Sequence, residues 1–118
     1  MRVRVVKPYQ RPYPNPLAVS AGDEVVPDFE RETTIEGWVW CTAGDGRTGW
    51  TPQGWLVQDG DTWRIDRDYN SIELTIEVGE KLEVTAEESR FFWATNGRGE
   101  SGWVPSENVV ASGETNER

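Results

Sequence analysis

The chain contains no histidine and a single cysteine, Cys41, among its 118 residues. Without imidazole, histidine-based acid–base or nucleophilic catalysis and most transition-metal sites are excluded. One thiol cannot build an internal disulfide framework. No apolar run approaches the ~20 residues that cross a bilayer. The basic start MRVRVVKPYQ meets Pro8 before any apolar stretch of a secretory leader's length. A cytoplasmic location is therefore expected. Nucleophile-elbow, phosphate-loop and zinc spacings are missing. AGDGRTG at 43–49 lacks the trailing Glu of a calcium loop and the Lys of a phosphate loop. The expectation is a non-enzymatic protein with no cofactor and no metal.

Positive charge is scarce as well. Twelve Lys and Arg face 21 Asp and Glu, a net charge of −9. Residues 1–59 carry 6 basic and 8 acidic side chains, and residues 60–118 carry 6 and 13. Nucleic acid and anionic membrane would be repelled. The excess suits a solvated acidic surface or a basic partner.

Tryptophan is abundant. Seven are present, at positions 38, 40, 50, 55, 63, 93 and 103. Two small cores do not need so many, and surplus aromatics favour binding surfaces.

The chain reads as two copies. GWTPQGWLV at 49–57 matches GWVPSENVV at 102–110. Trp40 and Trp93 each stand nine residues before the motif's glycine. SAGDEV at 20–25 lies over EVGEKL at 77–82, with Leu17 and Leu74 five residues before Gly22 and Gly79. Tyr9 and Tyr69 come earlier still. The copies span about 1–58 and 62–111, joined by QDGD at 58–61 and followed by a polar, flexible tail at 112–118.

Each copy reads as all-β, because Gly or Pro interrupts every stretch long enough for a helix. Strands are expected at 2–7, 23–28, 36–43, 48–52 and 55–58, then at 62–67, 80–86, 90–95, 101–105 and 108–111. The Gly-rich stretches 43–49 and 96–102 read as hairpin turns. Five short strands per copy imply a small barrel. A unit of this size is marginal alone, and the link is short, so two five-stranded barrels packed against each other are expected.

The second copy resembles the Src homology 3 (SH3) family. The residues are Asp68-Tyr69, Glu73-Leu74-Thr75-Ile76 with Gly79-Glu80, Phe91-Phe92, and Gly102-Trp103-Val104-Pro105-Ser106-Glu107-Asn108-Val109. The first copy is a more distant variant opening on Val5-Val6-Lys7-Pro8-Tyr9. Tandem variant pairs of this size are similar to small bacterial proteins. The resemblance implies a protein- or peptide-binding module with a groove for a proline-rich, polyproline II segment. Tyr9, Trp38, Trp50, Pro52 and Trp55 of copy one fall on family ligand-contacting positions. So do Tyr69, Phe91, Trp103 and Pro105 of copy two, and Glu73 falls on the acidic position that selects a basic flank. Copy one departs at Lys7 and at Pro16, where the acid would be. Glu30, Glu32 or Glu36 could stand in for it. Copy two loses family tyrosines to Arg67 and Asn108. The Trp38 position faces solvent in the family groove, and Trp40 reads as structural.

Two other readings remain open. The aromatic faces could serve barrel–barrel or subunit packing. Trp38, Trp50 and Trp55 could instead form a cage for a methylated amine, as in Tudor-type barrels. The run Pro12-x-Pro14-x-Pro16 is either a stiff first loop or a polyproline segment that fills a groove in cis or by self-association.

Overall fold

Alternating apolar residues set the sheets. In the computed structural model, which describes residues 1–13, 15–33 and 35–112, twelve strands form. They are β1 (Arg2–Val5), β2 (Ala18–Val19), β3 (Glu24–Asp28), β4 (Trp38–Ala43), β5 (Thr48–Pro52) and β6 (Leu56–Asp59). The second half adds β7 (Thr62–Ile65), β8 (Tyr69–Asn70), β9 (Lys81–Glu88), β10 (Phe91–Thr95), β11 (Ser101–Pro105) and β12 (Val109–Ala111). All ten expected strands are present. Two 3-10 turns, Gln53–Trp55 and Ser106–Asn108, precede β6 and β12.

Two five-stranded antiparallel sheets result. One runs β11-β10-β9-β1-β12, the other β5-β4-β3-β7-β6. The orders are equivalent strand for strand, with β1 and β7 in the same place. Yet the sequence repeat puts β1 in the first copy and β7 in the second. The structure exchanges them: β1 pairs with β9 and β12, and β7 pairs with β3 and β6. The chain accordingly divides into a split unit, Met1–Pro12 with the segment from Glu73 onward, and a central unit, Tyr13–Ile72. This division does not follow the sequence copies 1–58 and 62–111.

The physical reason lies at the expected link. Asp59 pairs with Thr62, so Gly60 and Asp61 alone make the reversal. Gly60 has φ 65°, the positive angle a two-residue hairpin turn requires. The Thr62 hydroxyl donates to the Asp59 carbonyl at 2.9 Å, and Arg64 pairs with Asp59 at 2.9 Å. The segment 58–61 is thus a hairpin turn, and it holds β7 beside β6. Pro12 is the last residue of the split unit's first segment and Tyr13 the first of the central unit, so the division falls within the proline run. Pro14 itself lies outside the described residues, as does the tail from 113.

Each unit has its own core. The split unit buries Val3, Val5, Leu74, Ile76, Leu82, Val84, Ala94, Val104 and Val109, with Tyr9 and Phe92 against them. The central unit buries Leu17, Val25, Val39, Cys41, Ala43, Leu56 and Ile65. Burial pushes the Cys41 thiol up to about 11, and a weaker interaction with Thr51 pulls the other way. The thiol therefore stays protonated and inert at neutral pH.

The glycines of the repeated Gly-Trp-x-Pro motif have a packing reason. A Cβ on Gly49 would sit 2.2 Å from the Ser71 hydroxyl oxygen, and one on Gly102 would sit 2.9 Å from the Leu74 backbone nitrogen. In each unit the first loop presses on the bare backbone there, through Ser71 and Leu17 at Gly49 and through Glu73 and Leu74 at Gly102. Leu17 N–H donates to that Ser71 oxygen at 2.8 Å, and Leu74 N–H donates to the Trp103 carbonyl at 3.0 Å.

A fragment test follows from the exchange. Residues 13–72 hold every strand of one sheet and should unfold cooperatively on their own. Residues 1–58 lack β7 and separate β1 from β9 and β12, so they should melt well below residues 13–72. Thermal melting followed by circular dichroism distinguishes the two.

Candidate functional site

In each unit the aromatic surface is built on the outer face of a hairpin. Side chains two apart along a strand share a face. On β4, Val39, Cys41 and Ala43 point inward, leaving Trp38, Trp40 and Thr42 on the other face. The β4–β5 register sets Trp38 opposite Pro52 and Trp40 opposite Trp50. The β10–β11 register repeats this, with Phe91 opposite Pro105 and Trp93 opposite Trp103.

The exchange of first strands redistributes the remaining residues that the resemblance singles out. Tyr69, from the second copy, stands in the central unit. Its hydroxyl donates to the Trp50 carbonyl at 2.6 Å, and its ring meets Trp55 edge-on at 5.4 Å. Tyr9, from the first copy, stands in the split unit. Its backbone pairs with Ile76, and its hydroxyl donates to the Glu73 carboxylate. Val19 pairs with Tyr69 as Ile76 pairs with Tyr9, so the two tyrosines are structural equivalents.

The ten residues that the resemblance singles out therefore divide five and five. Trp38, Trp50, Pro52, Trp55 and Tyr69 belong to the central unit. Tyr9, Glu73, Phe91, Trp103 and Pro105 belong to the split unit. Tyr9 belongs to a different unit from Trp38, Trp50 and Trp55. Burial also departs from expectation. Trp38 is 7% exposed, so the ring expected to face solvent is covered. Pro52, Tyr69, Trp103 and Pro105 are buried too, whereas Tyr9, Trp50, Trp55, Glu73 and Phe91 are half-buried. Trp40, which reads as structural from sequence, is itself half-buried.

Two cations rest on the central unit's rings. The Arg31 guanidinium lies 4.0 Å from the Trp40 ring centre and 5.6 Å from that of Trp50. The Arg67 guanidinium lies 4.3 Å from the Trp55 ring centre. Arg67 also forks onto Asp66 at 2.7 and 3.1 Å, and its hydrogen bonds hold that carboxyl below the usual range. Tyr13 completes the Trp40 surround: its ring is 5.0 Å from Trp40, and its hydroxyl oxygen accepts from the Trp50 indole N–H at 3.4 Å. Sequence reasoning passed over Tyr13 and Arg31. The sequence signal reaches only Trp40, whose spacing from Trp38 puts both on one face opposite Pro52 and Trp50.

Glu73 differs from an open selecting acid. Its carboxyl is raised above the ordinary value by burial, and the Tyr9 hydroxyl offsets part of that. Asn108, standing where the family has a tyrosine, donates to the Lys7 and Pro8 carbonyls at 3.3 and 3.1 Å. Among the described residues no cluster of His, Cys, Asp and Glu could hold a metal ion, and no helix is long and apolar enough to cross a membrane.

Residues 2–58 match the family model of the variant SH3 domain. No curated protein and no solved structure matches the chain significantly. The matched span is SH3-like, and domains of that type serve in general as protein-interaction modules. The span begins with β1, a strand that pairs in the other sheet.

Two outcomes are expected here. Trp38→Ala should cost about 3–5 kcal/mol of folding stability, as for emptying a core ring site. Trp40→Ala, at a half-buried ring, should cost clearly less, and denaturant titration of the two variants ranks them. Glu73→Gln tests the buried carboxyl. A raised folded-state pKa means the folded protein holds the proton more tightly than the unfolded chain. Stability therefore falls as pH rises from the ordinary carboxylate value through the folded one. Melting midpoints measured between about pH 4.5 and 7 should show that fall in the parent and a flatter profile in Glu73→Gln.

Proposed function

We propose that the protein is a tandem pair of SH3-like barrels that binds a proline-rich or basic peptide segment and catalyses no reaction. The central unit does most of the binding. One observation carries this reading: Trp40, Trp50 and Trp55 are half-buried rings on a single unit, and each already takes a guanidinium on or near its face. Rings that accept a cation of their own chain have the chemistry to accept a cation or a proline ring of another. A polyproline II ligand suits them, because its shape is set before binding and little entropy remains to be lost.

The split unit is the weaker partner. Its acid is engaged by Tyr9, and Asn108 replaces an aromatic with a side chain turned to its own backbone. The net charge of −9 favours a basic ligand through encounter rate more than through contact energy. Glu30, Glu32 and Glu36 lie in the segment between β3 and β4 of the central unit and contribute to that field.

A panel of proline-rich peptides, with and without flanking arginine, titrated against the full chain provides the test. Tryptophan fluorescence should respond to the arginine-flanked members. Trp55→Ala should weaken binding by about 2 kcal/mol or more, and Phe91→Ala should have a much smaller effect. A chain whose fluorescence no peptide in the panel perturbs is not a binder of this class.

A further inference from the structure

Tyr13, Trp40 and Trp50 come from three separate segments and pack together, and Trp40 and Trp50 carry one cation. Tyr13 precedes β2, Trp40 is in the middle of β4, and Trp50 is opposite it on β5. Trp40 and Trp50 meet edge-to-face at 5.1 Å and 76°, and Tyr13 meets Trp40 at 5.0 Å and 61°. The Trp50 N–H bond to the Tyr13 hydroxyl oxygen ties the outer two rings together. The occupant, Arg31, is three residues beyond the end of β3. A turn fixes that position: Arg31 N–H donates to the Asp28 carbonyl at 3.3 Å, and Glu30 N–H to the Asp28 carboxylate at 3.1 Å. Among the described residues no carboxylate lies within ion-pair distance of Arg31. The rings are its partners, and its residue as a whole stays exposed.

We infer that Trp40 and Trp50, braced by Tyr13, form a cation site that Arg31 occupies as an internal ligand, and that an arginine side chain of a partner peptide must displace it. The proposal deepens the peptide-binding reading and rests on it for the source of the cation, though the cage itself does not. It differs from the cage of Trp38, Trp50 and Trp55 weighed from sequence, since Trp38 is covered and Trp55 carries Arg67. A flat guanidinium is the favoured ligand because a flat guanidinium is what the rings now hold, with no acid required. Self-occupancy also sets a threshold. One exposed cation–ring contact shifts an open–closed equilibrium by about two- to fivefold. An entering cation therefore binds about three- to sixfold more weakly than it would to an empty cage.

The test uses the full chain and two small probes, N-acetyl-arginine methylamide and its trimethyllysine counterpart. Indole N–H signals of Trp40 and Trp50 are followed by nuclear magnetic resonance during titration. Arg31→Ala should bind the arginine probe about three- to sixfold more tightly than the parent. Adding Trp40→Ala to Arg31→Ala should abolish that binding. In the parent, the Arg31 side-chain protons should be shifted upfield by the rings, and Trp40→Ala should remove the shift. Equal affinity in parent and Arg31→Ala, or indole signals that do not move, would overturn the proposal. A stronger response to the trimethyllysine probe would overturn the guanidinium assignment. Neither result touches peptide binding at Trp55, which the fluorescence panel reads separately.

Discussion

A reversal of two residues, Gly60 and Asp61, decides which sheet each first strand joins. The positive φ of Gly60 and the Asp59–Thr62 pair lock β6 and β7 into one hairpin. Once β7 occupies the place beside β3, that place is filled. β1 can then only take the equivalent place beside β9 and β12. The two sheets keep the same strand order because both first strands present the same pattern. Val3 and Val5 are buried in one sheet, and Ile65 in the other.

The same constraint builds the sites. Each first loop is assembled from two distant stretches, one bringing a tyrosine and the other an apolar return. Tyr9 thereby meets Glu73, and Tyr69 meets Trp50 and Trp55. A motif match along the chain credits Tyr9 to the first copy, but in space its role there is taken by Tyr69. The result is an uneven pair. One unit concentrates indole rings and lays two arginines on them. The other turns its acid and its Asn108 amide inward, onto its own backbone and tyrosine.

Much of the fold was legible because it is local. Strand alternation, the Gly-rich hairpins and the repeated Gly-Trp-x-Pro all act over a few residues. The β9–β10 turn was less visible. Ser89 and Arg90 adopt positive φ without glycine or asparagine to announce it. The exchange of β1 and β7 was not legible, since the two strands are interchangeable in pattern and only the tightness of one turn separates the alternatives. Site chemistry was legible at the level of residue type. The resemblance marked Trp50 and Trp55, both half-buried rings on the central unit. It did not mark Arg31, because a charged residue in a loop carries no sign of which ring it will rest on. Trp38 failed as a solvent-facing ring for a related reason: face can be read from spacing, but cover depends on everything packed over that face.

The place of β1 also has a consequence in time. During synthesis β1 is made first, yet its partners are β9 and β12, and Val3 pairs with Ala111 near the far end of the described chain. The central unit holds all its own strands and is complete once residue 72 has left the ribosome. At roughly 5–20 residues per second, β1 then waits on the order of seconds for the strands that will flank it. For that interval its backbone donors and acceptors have no strand to pair with and are hydrated. Its alternation of Arg2 and Arg4 with Val3 and Val5 matters then, because charge on every second position disfavours pairing with strands of neighbouring chains. The same alternation that seats β1 in the finished sheet, where Arg2 pairs with Glu83, thus bears on the unfinished chain as well.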